Sequence, residues 1–482
     1  DATDNGNGGT VVLWSDGTTR FAGAISARGG ADGGNGGQVE TSGKETLFAR
    51  GGRVDTRAPR GATGNWLLDP NIITITGGCA PGPAPCPPPP AAVVDNDTVY
   101  EGDLEAANSH ITLTAINGIV VSGSFGGNDV TVPSGLNLTM HTNVTGGSTV
   151  IDLTGVEFKT SGGGSIQMSV GNSGQTIKPG KLTVSGTGSI TLNSAGPLDI
   201  SDTTLVTAGG AVTLSGAGTT LGNGVNLSNA VINSGAGAIA ITGSSVSGLG
   251  TQIQKVLAGP SSITSSGAVT IEGTTGTGEQ GVLMVGTSVS AGTGLTVGVG
   301  ASSSSRVRID SSTLATSGGN LSVEAKSTAV EANGQMGALA IVAASRVQNT
   351  GAGNVSLTGE LVGGGVVSVG SISGGVLLDM ATVTTAGGAI TVTGKSGVAP
   401  APGVTGVTRG VSIATGTSLG AGAGTLTITG TTGNSSGINT AGVATDGTLT
   451  GANITITGTA DNSSQSSQTG VKLGGSINGT NS

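Results

Sequence analysis

Self-similarity is the feature that most restricts what this chain can fold into. From its second quarter onward one template recurs: a Gly-Val-type opening, alternating aliphatics, a Gly-Gly or Ala-Gly turn, then a strand of the form G-A-I-T-V-T-G. Segments 196–216, 224–243, 281–300, 306–325 and 375–394 are clear copies, and weaker ones open at Gly250, Gly337, Gly410 and Gly437. Successive starts lie about 25 to 38 residues apart, a period near 30 that stretches and shrinks.

Apolar residues alternate inside each copy, as in Ala389-Ile390-Thr391-Val392-Thr393, which is the periodicity of a strand. A strand of about five residues cannot bury its apolar face alone. Stacking on the next copy solves this, because like strands pair in parallel and their inward side chains form a continuous aliphatic column. Short parallel crossovers are overwhelmingly right-handed. The expected fold is therefore all-β, a right-handed parallel β-helix with elastic repeats of about 30 residues. Insertions are expected to extrude at a corner without disturbing the stack.

Composition agrees. With 94 Gly among 482 residues and only 9% charged, a helical bundle is excluded, since each helical glycine costs about 1 kcal/mol relative to alanine. Fifteen prolines without a glycine period of three exclude collagen. A hydrophobic share of 35% argues against disorder. The net charge of −9 and the lack of a basic run make nucleic acid an unexpected partner. No apolar run approaches the roughly 18 residues of a membrane span, so no membrane insertion is expected. The chain opens at Asp1 without a Met or a charged-then-apolar leader, which reads as a mature product or an excised segment.

The first seventy residues differ. Trp14, Phe21, Phe48 and Trp66 all lie there, and short strands alternate with Gly-Asn or Gly-Asp turns, so bulkier β-helix coils are expected. The ordered elements VVLWSDGTTRFAGAISARGG, GGNGGQVETSG, RVDTRA and NWLLDPNIITIT resemble a signature of large bacterial exoproteins related to filamentous haemagglutinin and the high-molecular-weight adhesins, which use two-partner secretion. The resemblance covers roughly seventy residues; the remainder is similar only in repeat style. It implies export through a dedicated outer-membrane transporter, a haemagglutination-activity-type secretion domain ahead of this segment, display at or release from the bacterial outer surface, and adhesion. Glycosylation at Asn-Xaa-Ser/Thr sequons is also known in such adhesins. Here sequons begin at Asn96, Asn137, Asn143, Asn226, Asn320, Asn354, Asn434, Asn453, Asn462 and Asn478, although chance accounts for most in a chain so rich in Ser, Thr and Asn.

Candidate chemistry is sparse. Cys79 and Cys86, seven apart around prolines, suit a local disulfide in an oxidising compartment, with unpaired thiols as the alternative. His110 and His141 are the only histidines and no paired-Cys motif exists, so no zinc site is expected. The dense acidic run Asp95, Asp97, Glu101, Asp103 and Glu105 reads as a solvated loop, with weak calcium binding as the minor alternative. Asp199 and Asp202, three apart, are expected on opposite faces of one strand. Asp310 and Asp379 stand alone, and no catalytic constellation or cofactor site is read.

These readings divide the chain into β-helix coils carrying the signature (1–78), an extruded Pro-rich and acidic loop (79–107), and a repetitive rod (108–482). The expected function is that of a secreted, surface-displayed filamentous adhesin attaching to cells, host surfaces or matrix, including their glycans. The alternative is a self-assembling structural protein of an extracellular filament, sheath or biofilm matrix. An enzyme is not expected.

Overall fold

Strand Ile390–Ser396 carries the rule by which the chain folds. Ile390 and Val392 are fully buried while Thr391 and Thr393 between them face solvent. Repeated along the chain, this alternation gives 60% strand and 2% helix, and every pairing between named strands is parallel wherever a register is recorded. The computed structural model describes residues 1–77, 97–142, 150–219, 222–256, 259, 261–276, 280–298, 305–328, 336–362, 372–397, 407–433, 440–460 and 468–480. The fold is a parallel β-helix. Most coils contribute one strand to each of three sheets, here called first, second and third in the order the chain visits them.

The chain forms two compact units, Asp1–Ser215 with Ile232–Gly237, and Gly216–Val231 with Ala238–Ser482. In the first unit, Val11, Val39, Trp66, Ile111, Leu138, Ile166 and Ile190 stand in register as one inward column of the first sheet. Trp66 is held on two sides: its ring meets Phe21 edge-on at 6.3 Å, and its Nε1–H donates to Thr41 Oγ1 at 2.9 Å. Trp14, by contrast, faces out from the first strand at 54% exposure. In the second unit the corresponding column is Ile239, Val269, Leu295, Leu321, Val355, Ile390, Leu426 and Ile454. Each fully buried aliphatic side chain contributes about 1.5–3 kcal/mol, and each is buried only because the next coil is there.

Glycine sets the width of the second unit. Gly359, Gly394, Gly430 and Gly458 are in register on first-sheet strands. A methyl group on any of them would lie between 1.9 and 2.1 Å from the carbonyl oxygen of Gly375, Gly410, Gly442 or Gly470 on the second-sheet strand of the same coil. The two backbones therefore touch. This contact gives a structural reason for two pieces of the repeat, the glycine closing T-V-T-G and the glycine of the Gly-Val opening.

The elasticity of the period sits mainly at one corner of the second unit. Third-sheet strands begin soon after second-sheet strands end, as from Asp310 to Thr313 and from Val342 to Arg346. Between first and second sheets the separation varies widely, from Thr275 to Gln280 in one coil and from Leu361 to Ile372 in another.

One strand breaks the order. Thr98–Tyr100 follows Ile73–Thr76 in sequence, yet it pairs with both that strand and the earlier Thr46–Phe48 in the second sheet. Its partners are Thr74 for Thr98, Ile75 for Val99 and Thr76 for Tyr100, with Phe48 beside Thr98. The chain thus returns and inserts itself one place back in the stack. A short helix, Glu101–Glu105, carries it onward.

Candidate binding surfaces

The acidic run departs from its expected role as a solvated loop. Of its five acids, Asp95 lies outside the described residues, and Asp97, Glu101 and Asp103 are buried at 7%, 2% and 3% exposure. Each bonds a backbone N–H of a neighbouring coil. Asp97 accepts from Leu47 at 2.8 Å, Glu101 from Gly126 at 3.1 Å through both oxygens, Asp103 from Gly51 at 3.2 Å, and Glu105 from Thr131 at 3.0 Å. Asp103 also meets Arg53 Nη1 at 3.0 Å, and the Arg50 guanidinium lies over the Tyr100 ring at 4.4 Å. Burial raises the Asp97, Asp103 and Glu105 carboxyls above the usual range, against the lowering effect of these hydrogen bonds. The carboxylates diverge onto separate donors, and among the described residues no group of three His, Cys, Asp or Glu could hold a metal ion. These acids pin the inserted strand and helix in place.

Several polar residues singled out by sequence serve as rungs between coils. His110 Nδ1 accepts the Asn137 N–H at 3.0 Å, Asn137 Oδ1 accepts the Ser165 N–H at 2.9 Å, and Ser165 Oγ accepts the Ser189 N–H at 2.9 Å. Three side-chain types thus do one job at one corner. Burial lowers the His110 pKa and favours the neutral ring whose nitrogen accepts. The second unit repeats the device with Asn320 accepting from Asn354 at 2.9 Å and Asn354 from Ala389 at 2.8 Å. His141 lies on the outer face of the first sheet, with Nδ1 2.7 Å from Ser169 Oγ. Among the other sequons, Asn226 is half-buried while Asn453 and Asn478 are exposed. Cys79, Cys86, Asn96, Asn143, Asn434 and Asn462 lie outside the described residues.

A concave feature among the described residues of the first unit is an open trough of about 690 Å³ where the second sheet turns into the third. It arises from a step in turn length. The turn runs from Ser122 to Asp129 in one coil, from Asp152 to Glu157 in the next, from Lys178 to Lys181 in the third, and from Ser201 to Thr204 in the fourth. Longer turns stand over shorter ones.

Outward residues of the two sheets flank these turns. On the second sheet Asp152 pairs in register with Lys178, and Asp199 stands next, one residue beyond the partner of Ile177. On the third, Glu157 pairs with Lys181, followed by Thr204. Lys178 Nζ lies 3.5 Å from Asp152, and Lys181 Nζ 3.1 Å from Glu157. Burial pushes the Asp152 and Glu157 carboxyls upward, but hydrogen bonds from Thr154 and Thr183 and the adjacent lysines outweigh it and hold both below the ordinary range. Asp199 and Asp202, expected on opposite faces, line the same trough. Asp202 lies beyond the strand end, at a left-handed φ of 51°, so the alternation of faces within the strand does not reach it.

No protein-family model matches the chain, and no curated protein is significantly similar to it.

Proposed function

We propose that this chain is a secreted, surface-displayed adhesin of the two-partner secretion type, attaching its bacterium to cells, host surfaces or matrix. The observation that carries the reading is the outer surface of the stack, where Ser and Thr recur in register over many coils with few charges. Ser356, Thr391, Thr427 and Thr455 form one such row, and Thr358, Thr393, Thr429 and Thr457 the next. A surface of this kind offers many weak contacts that add as avidity. The ordered signature elements support it as well: their Trp14-Ser15, Val39-to-Gly43 and Trp66-to-Leu68 pieces fall on consecutive first-sheet strands. Export through an outer-membrane transporter belongs to the same reading. Among the described residues no helix is long and apolar enough to cross a membrane.

The self-assembling filament is the second reading. It is favoured by apolar side chains left exposed on the outermost described strands: Val12 at 57% and Trp14 at 54%, Leu473 at 57% and Ile477 at 40%. Unpaired strand edges invite further strands. The two readings separate by electron microscopy of the purified chain at rising concentration, together with attachment of labelled chain to host cells and matrix. Single particles that attach support the adhesin, and regular fibres without attachment support the filament.

A further inference from the structure

We propose that the trough between the second and third sheets of the first unit binds a neutral, hydroxyl-rich oligosaccharide lying across successive coils. The inference rests on the attachment reading for its biological use, but its chemistry is argued from the trough alone. Its volume of about 690 Å³ falls in the range that holds small ligands. Its lining does not suit the usual apolar occupant. No aromatic ring contributes, which removes the stacking platform a nucleobase or aromatic ligand needs, and Val156 and Pro179 are the apolar members.

What the lining offers is donors and acceptors in alternation. Along the second-sheet side Lys178 and Asp199 follow one another, and along the third-sheet side Glu157, Lys181 and Thr204 do so, at the roughly 4.8 Å spacing of neighbouring strands. An anionic ligand would meet Glu157, Asp199 and Asp202 as well as two lysines that already face carboxylates. A cationic ligand would meet those lysines. A polyol has neither penalty: each hydroxyl donates to a carboxylate and accepts from an ammonium or a threonine. The two lysines are half exposed, at 49% and 50%, so their ion pairs are weak and open to exchange for a ligand hydroxyl.

The test is calorimetric titration of the full chain with a panel of short neutral oligosaccharides and with uronate- and amine-bearing counterparts of the same lengths. The expected result is saturable binding of at least one neutral member. Ser201→Trp, which fills the trough from its exposed floor, and Lys181→Ala are each expected to weaken it about tenfold or more, while Lys395→Ala in the second unit leaves it unchanged. All three positions point outward, so far-ultraviolet dichroism should match the wild type, and Lys181→Ala alone carries the test should the tryptophan disturb the fold. The inference is overturned if no neutral member binds, if charged counterparts bind more tightly, or if binding survives both trough variants. Cell attachment measured on the same proteins keeps the two readings apart: attachment that persists after trough binding is lost runs through another face, and trough binding by a chain that never attaches defeats the adhesin while the glycan site stands.

Discussion

At the scale of single residues, glycine and asparagine fill positions that larger or apolar side chains cannot. Gly394 faces Gly410 across the interior so closely that a methyl group has no room. Gly394→Ala is therefore expected to force the two sheets apart at that coil and to cost about 1–3 kcal/mol, read as a lower denaturant midpoint with an unchanged slope. Alternation at Ile390 and Val392 was legible from sequence because inward and outward residues differ in type. The rungs were not: His110, Asn137 and Ser165 share one geometric task but no common side chain, so nothing in the sequence groups them. Asp199 and Asp202 were misplaced for a related reason. Strand spacing assigns faces only within a strand, and this one ends at Ser201.

Among the elements, the inserted strand Thr98–Tyr100 and its helix are the part that sequence concealed. A run of acids after prolines reads as solvated because carboxylates are usually exposed, and backbone N–H partners leave no trace in a sequence. Arg53→Ala would leave Asp103 buried without its guanidinium partner and is expected to destabilise by about 3–5 kcal/mol. The pH dependence follows from the raised carboxyls of Asp97, Asp103 and Glu105. The folded state takes up their protons at higher pH than the unfolded chain does. Their contribution to stability is therefore greatest below the unfolded carboxylate pKa, near 4, and declines as pH rises through the folded values. Amide exchange in 97–105, corrected for its intrinsic pH dependence, should show stronger protection near pH 4.5 than at pH 7. Asp103→Asn should flatten that difference. At the half-buried, lysine-paired Asp152, Glu157 and Glu360 the sign reverses, since their lowered values place stability above the ordinary carboxylate range and lose it as pH falls.

Across the whole molecule, the period and the parallel stack were legible because every coil repeats the same requirement for a neighbour. What the period could not tell was which corner absorbs its variation, since a copy count records only the total. In the second unit the separations from Leu361 to Ile372 and from Ser396 to Val407 are long, whereas those from Asp310 to Thr313 and from Thr445 to Thr448 are short. A peptide tag of about ten residues placed after Gly397 should leave thermal unfolding within a degree or two of wild type, because each doubling of the length between two strands adds only about 0.6 kcal/mol of closure entropy. The same tag between Ser311 and Ser312 should lower the transition clearly, since it interrupts a tight turn whose Ser312 N–H and hydroxyl both bond neighbouring residues. Differential scanning calorimetry of the two insertions decides the matter. With growth in the second unit channelled largely to one edge of each coil, the remaining strands there can stay nearly unaltered while new sequence is tried out, and grafted epitopes or enzymes could be carried at that edge as passengers without redesigning the frame that holds them.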